Sequence, residues 1–314
     1  MSIINSANSG SKIYLICMLY RLIGERPNFY TVDSLCSHCA PAELITKSDH
    51  KVRVSRDLGF WGKGDLRLWE VDEASQKLVL ADDVAQGVKL PKDVAHHLAK
   101  KLMRFQFSKP LLSKGDEGGV GKGDEGGVAK AMLHFTLLLT QDRFAPFHQQ
   151  LNRNTYESLF SEKRNLTGIN NLNNNEYKDF LLYCYFLGLT EKDDAGGDYF
   201  LDPTRFLTLF LGEIFSEKKN LPSAIFLEKL ADAVPILDGG VHNNAIRSEI
   251  NENRKSPMEL SMALSHALKR LNACQAVTLE RGSDDANPLR LKLPDRTVEV
   301  ITSITFNDVP FLSA

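Results

Sequence analysis

The sequence predicts a mainly helical fold carrying small β-hairpins, an α+β chain assembled from several modules. Three observations lead to this. The chain has 314 residues, a length that suits about two or three domains. Its apolar residues recur at helical spacing over much of that length. Short hairpins with polar turns follow those helical stretches, and the same order of elements comes back along the chain.

The first module starts with a helical face of Leu15, Met18, Leu19 and Leu22, broken by Gly24 to Asn28. Thr31 to Cys39 forms a short second helix ended by Pro41. Residues 49–62 (DHKVRVSRDLGFWG) form the third, although Lys51-Val52-Arg53-Val54-Ser55 alternates as a strand would. Leu66 to Glu70 and Lys77 to Leu80 make the hairpin, turning at Asp72 to Gln76. Leu90-Pro91-Lys92-Asp93 then opens a proline-led helix. Residues 114–128 read KGDEGGVGKGDEGGV, a repeated KGDEGGV dense in glycine and poor in apolar surface, and are expected to be a flexible linker.

The second module is clearer. Asn173 to Asn175 precede a face of Tyr177, Phe180, Leu181, Cys184 and Leu187, and Gly188 suits a left-handed cap. Leu189 to Lys192 and Tyr199 to Leu201 form two strands about the turn Asp193 to Asp198. Asp202-Pro203 fits the start of another helix. In the third module, Asn220-Leu221-Pro222 opens a helix carrying Ile225, Phe226, Leu230 and Val234. Ser256, Pro257 and Glu259 resemble a capping box before Leu260, Leu264, Ala267, Leu268 and Leu271. Ala276 to Glu280 and Leu289 to Leu293 are expected to pair as the hairpin.

Helices running into a two-stranded hairpin describe a winged helix, so the fold expected is a tandem array of winged-helix (helix-turn-helix) domains. The boundaries are a first winged helix over 1–90, a helical connector and Gly-rich linker over 91–130, a second winged helix over 131–212 and a third over 213–314.

Composition narrows the function. Hydrophobic residues make up 43% and charged residues 25%, with a formal net charge of -2, so any nucleic-acid contact must come from local basic patches rather than global charge. Five cysteines, an odd number, with Cys17, Cys184 and Cys274 in apolar helical patterns, fit a reducing compartment, and a cytoplasmic location is expected. The apolar runs Ile13 to Tyr20 and Phe180 to Leu189 are too short to span a bilayer, and no secretory leader is visible.

No motif points to catalysis, and no cofactor, metal or small-molecule substrate is expected. Cys36-Ser37-His38-Cys39 with His50 supplies three or four zinc donors by type, but no second pair completes a tetrahedron. Gly121-Lys122 lacks the upstream Gly and downstream Ser or Thr of a phosphate loop. His96-His97 reads as a solvated helix face, because neighbours on a helix point about 100° apart.

Basic residues remain. Lys47, Lys51, Arg53, Arg56, Lys63 and Arg67 surround the third helix of the first module, the one that would enter a DNA major groove. Lys100, Lys101 and Arg104 share a face of the following helix and suit phosphates. Glu43, Asp49, Asp57 and Asp65 lie among the first set. If they interleave with the cations, a protein adaptor is favoured; if they do not, double-stranded DNA is. The helix of the second module, with Glu176, Lys178, Asp179, Tyr183 and Tyr185, reads as a packing or protein-contact element.

Three stretches carry a resemblance: LRLWEVDEASQKLVLAD, AMLHFTLLLTQDRFAPF and LLYCYFLGLTEKDDAGGDYFLDP. They resemble the DpdG family, accessory proteins of bacterial deazaguanine DNA-modification and defence clusters. The resemblance implies a non-enzymatic subunit that works with other subunits of one complex and has no catalytic residues to assign. The duplicated Gly-rich segment is not a feature of that family. On architecture alone, the chain is also similar to segregation proteins that partner SMC-like ATPases. The expected function is a DNA-associated accessory subunit that binds non-specific duplex DNA through the first module and partner proteins through the later ones. The alternatives are a pure protein–protein adaptor and a winged-helix transcription regulator.

Overall fold

The computed structural model describes residues 3–4, 10–41, 49–81, 91–107, 111, 124–140, 150–157, 172–193, 197–250, 256, 258–282, 287–295 and 297–307. About half of these residues are helical and the rest include short antiparallel strand pairs, a mixed α+β fold. Among them, no helix is long and apolar enough to cross a membrane. The chain divides into two compact units. Unit 1 holds Met1–Phe107, Gly121–Ala131 and Asn174–Tyr183; unit 2 holds Ser108–Val120, Met132–Asn173 and Cys184–Ala314.

In unit 1, α1 (Ile13–Glu25) buries Leu15, Ile16, Leu19, Tyr20 and Ile23. The expected face is therefore rotated: Met18 is exposed and Leu22 half-buried. The next helix, α2 (Val32–Cys39), begins with a full capping box in which Thr31 and Ser34 satisfy each other's backbone N–H groups. It packs against α3 (Asp49–Phe60). The strand-like alternation at 51–55 yields to the helix because only one of its two valines is needed inside. Val54 is buried together with Leu58 and Trp61, at helical spacing, while Val52 is 48% exposed.

The hairpin β1 (Trp69–Val71) and β2 (Leu78–Leu80) pairs Trp69 with Leu80 and Val71 with Leu78. Trp69 Nε1 donates to the Leu58 carbonyl at 2.9 Å, fastening the hairpin to α3. The segment between α1 and α2 adds to the other edge of β2: Asn28 N donates to Leu78 O at 3.3 Å, and Leu78 N to Tyr30 O at 2.7 Å. The proline-led helix is α4 (Pro91–Arg104), which packs on α1. His97 does not lie on a solvated face as expected; its Nδ1 meets the buried Tyr20 hydroxyl at 2.5 Å.

Asp124 to Val128 of the second glycine-rich repeat are helix, not linker: they form the first turn of α5 (Asp124–Thr140), whereas the first copy lies outside the described residues. From Gly127 to Thr140 every residue but Lys130 is buried, so this apolar run propagates the helix back through two glycines that each cost about 1 kcal/mol relative to alanine. The following helix is α6 (Asn174–Leu187).

In unit 2, the hairpin β3 (Thr190–Lys192) and β4 (Tyr199–Leu201) falls where the sequence places it. Leu151 N donates to Tyr199 O at 2.7 Å, and Gln150 bridges Phe200, so here too a preceding segment lies along the second strand. Gly188 takes φ +84°, and a Cβ there would come within 2.8 Å of Phe206 N. The Asp202 carboxylate accepts from Thr204 N at 3.0 Å at the start of α7 (Thr204–Ile214).

The C-terminal third departs from expectation. Asn220 to Pro222 form β5 rather than opening a helix, and α8 (Ser223–Ala233) follows, with Ile225 40% exposed. Next come α9 (Val241–Glu249) and α10 (Met262–Ala273). The cap of α10 is Ser261, which accepts from Leu264 N at 3.2 Å, not Ser256 with Glu259. The strands β6 (Val277–Glu280) and β7 (Leu289–Lys292) do not pair with each other. β8 (Val298–Ile301) pairs with β7, and β9 (Ser303–Phe306) sits between β5 and β6. The run Val298 to Phe306 is rich in β-branched residues and buries Ile301 and Ile304 completely, so it supplies better partners than a local hairpin.

Candidate nucleic-acid interface

The third helix of unit 1 has two distinct sides. Val54, Asp57, Leu58 and Phe60 face inward. Lys51, Val52, Ser55, Arg56 and Gly59 are exposed. At about 100° per residue, these five fall on one arc, with Lys51 and Arg56 at its two edges and the small Ser55 and Gly59 between them. A Cβ built at Gly59 meets nothing within 4 Å. The surface is therefore a shallow, small-residue strip flanked by two cations.

Asp57 is the acid that sequence position alone would set among those cations, yet it is 1% exposed. Its carboxylate accepts the backbone N–H of Gly10 at 2.6 Å. Burial pushes its pKa up, opposed by the Gly10 bond and by the charges of Arg53 and Lys12. Gly10 is held from a second side by Tyr183, whose hydroxyl donates to Gly10 O at 2.5 Å. Burial, and then the charges of Asp57, Asp179 and Cys17, hold that phenol well above its ordinary pKa, so it stays a donor. Gly10 has φ +85° and stands against the Phe60 ring, where a Cβ would come within 2.4 Å. The inward side of α3 is thus locked to the segment before α1.

The other predicted residues are distributed as follows. Arg53 is half-buried at the edge of the inward side, close enough to Asp57 to lower its pKa. Lys63 is exposed in the turn after α3. Arg67 is exposed but paired with Glu70 at 3.1 Å. Lys47, Glu43 and the side chain of Asp49 lie outside the described residues, and Asp65 is exposed. On α4, Lys100, Lys101 and Arg104 share an arc that runs up to the buried one of Val94, Leu98 and Leu102, with Lys101 beside Val94; the lysines are half-buried, and all three have contacts of their own.

The later helices are built differently. On α6, Glu176 and Asp179 are buried, and Lys130 meets Glu176 at 2.9 Å. On α10, Lys269 binds Glu299 at 2.8 Å and Arg270 is paired with the fully buried Asp202. Those charges are tied into ion pairs that fix the packing of the helices, while Lys178 on α6 stays exposed.

The Cys36–Cys39 turn is also accounted for locally. Burial raises both thiols, that of Cys39 to about 11 with the charge of Cys36 adding to it, and the His38 ring lies 5.4 Å from Tyr30. Lys51 acts in the opposite direction on Cys36, which places the α3 cation near the end of α2. Among the described residues no three His, Cys, Asp or Glu side chains gather as metal ligands. The inward turn of Asp57 and the small-residue strip between Lys51 and Arg56 escape a reading by charge alone. The spacing of Val54, Leu58 and Trp61 contains both, once the helical period is preferred to the alternation.

The model of the family described as DpdG-like matches residues 1–285. No curated protein and no solved structure matches the chain.

Proposed function

The chain belongs to the DpdG-like family, which suggests a role in a deazaguanine DNA-modification cluster, and from that premise we propose that it is a non-enzymatic, DNA-associated accessory subunit of a prokaryotic modification or anti-phage defence complex. It works in the cytoplasm. Unit 1 binds duplex DNA through α3, and the later modules dock partner proteins of the same complex. The observation that carries the reading is the outward strip of α3, with Lys51 and Arg56 on either side of Ser55 and Gly59 and Asp57 withdrawn to the interior. Small residues let a helix approach a phosphate backbone closely, and the flanking cations meet the phosphates. Few side chains on the strip can read a base edge, which favours sequence-independent binding.

Two strand contacts support a winged-helix reading of the first two modules. In each, a segment upstream of the third helix lies along the second hairpin strand: Asn28 to Tyr30 along β2, and Gln150-Leu151 along β4. The burial and charge pairing of α10 support a packing role for the third module.

Binding to a random-sequence duplex, measured across a salt series, tests the function. Affinity should fall steeply with salt. Lys51→Glu with Arg56→Glu should lower the slope of log affinity against log salt by about two, since each lost phosphate contact accounts for about 0.9. An unchanged slope would remove α3 from the interface. Absence of binding at low salt would leave a protein adaptor.

A further inference from the structure

At the C-terminal end of α10, a recess of about 360 Å³ opens between that helix and the β6–β9 edge, lined by Asn272, Gln275, Val277, Thr278 and Asn307. No charged side chain lines it. Its walls are three amides, a hydroxyl and one apolar patch. Part of this polar inventory is already spent. Asn272 Oδ1 accepts from Leu279 N at 2.9 Å, and Asn307 Nδ2 donates to Gln275 O at 2.8 Å and Thr278 Oγ1 at 3.0 Å. These bonds fix the orientation of two amides. Among the described residues, they leave the Asn272 Nδ2 donors and the whole Gln275 amide without a protein partner.

Gln275 also stands in an unusual backbone position. Its φ is +60°, the left-handed conformation just past the helix end, where glycine is the low-energy choice and a longer side chain costs stability. Placed there, its amide hangs at the mouth of the recess. Thr278 continues the lining outward, because it pairs across the sheet with Thr305, which in turn pairs with Asn220. On that face, Glu280 accepts from Ser303 Oγ at 2.5 Å and from Asn220 Nδ2 at 3.4 Å.

We infer that this recess is a binding site for a nucleobase outside a base pair, recognised by its hydrogen-bonding edge. Planar amides with adjacent donor and acceptor atoms match the edges of bases, as Asn and Gln do for adenine. Val277, 1% exposed, closes the floor of the recess. The volume is at the small end for ligand sites and suits one heterocycle. The neutral lining gives nothing to hold a phosphate, so recognition rests on the base. The inference is independent of α3, which belongs to the other unit.

The test measures binding of the four deoxynucleosides, free ribose and a short oligonucleotide with one unpaired base to the full chain by ligand-observed NMR. At least one base should bind saturably. Binding of a free nucleoside identifies a small-molecule site, and binding only of the oligonucleotide identifies a base presented by a strand; either supports the site. Gln275→Gly should weaken binding about ten-fold or more while raising the melting temperature, because it removes the amide and the strained backbone together. Asn272→Asp, which keeps the acceptor for Leu279 N, should weaken it without unfolding the chain. No binding by the wild type, ribose binding as well as a nucleoside, or undiminished binding by Gln275→Gly overturns the proposal.

Discussion

Replacing Asp57 separates two roles that a buried carboxylate can have, as an acceptor and as a charge. Asp57→Ala leaves the Gly10 N–H, itself buried, without its partner at 2.6 Å. An orphaned buried donor costs about 1–3 kcal/mol, and the small cavity left by the side chain adds to that. Asp57→Asn keeps an acceptor of the same shape and removes the charge that burial penalises, so its stability near pH 7 should stay within about 1 kcal/mol of wild type or exceed it. The pH dependence has a definite sign. The folded-state pKa of Asp57 is raised above its ordinary carboxylate value, so the folded chain holds this proton to higher pH than the unfolded chain does. Its contribution to stability therefore rises as pH falls through the folded pKa and is lost as pH rises through it. Urea denaturation of wild type, Asp57→Ala and Asp57→Asn at about pH 7 and about pH 4.5 measures all of this. Asp57→Ala should be the least stable at both, and the advantage of Asp57→Asn should shrink at the lower pH. If Asp57→Asn is as damaging as Asp57→Ala, the Gly10 bond is not what holds the segment in place.

Other outcomes follow from single contacts. Arg270→Ala removes the ion-pair partner of the fully buried Asp202, which keeps its Thr204 bonds and has His266 4.0 Å away, and should cost about 1–3 kcal/mol in thermal or chemical denaturation. Gly188→Ala forces a side chain into a left-handed position and against Phe206 N, a loss of at least about 1–2 kcal/mol visible as a lowered melting temperature. Deleting residues 124–128 removes the first turn of α5 together with the buried Val128 and should cost about 1.5–3 kcal/mol; an unchanged denaturation midpoint would show that this turn contributes nothing.

How much was legible depended on the range of the interactions. The hairpins β1–β2 and β3–β4 are local, and their alternation and polar turns give both strand and partner. β6 and β7 were equally visible as strands, but their partners come from Val298 to Phe306, and alternation says nothing about which distant strand wins. The KGDEGGV repeat shows a related limit. Its two copies have identical local composition, and Asp124 to Val128 of the second are helical because the apolar run of α5 follows them. On α3, the cations Lys51 and Arg56 are plain from charge, whereas Asp57 differs from a surface acid only through Gly10, a partner distant in the chain. The neutral recess at Gln275 has no charge or motif to announce it.

The bond from Tyr183 to Gly10 joins residues at opposite ends of unit 1, which is itself made from three separate stretches of chain. On a ribosome, the segment before α1 leaves the exit tunnel long before Tyr183 is made. Helices α1 to α3 can form early, but the lock on the inward side of α3 cannot close until α6 has been synthesised. Bringing such distant residues together is slow compared with local helix formation. The growing chain therefore passes through a stage in which α3 exists without its final anchor, and truncation before residue 183 should trap it there.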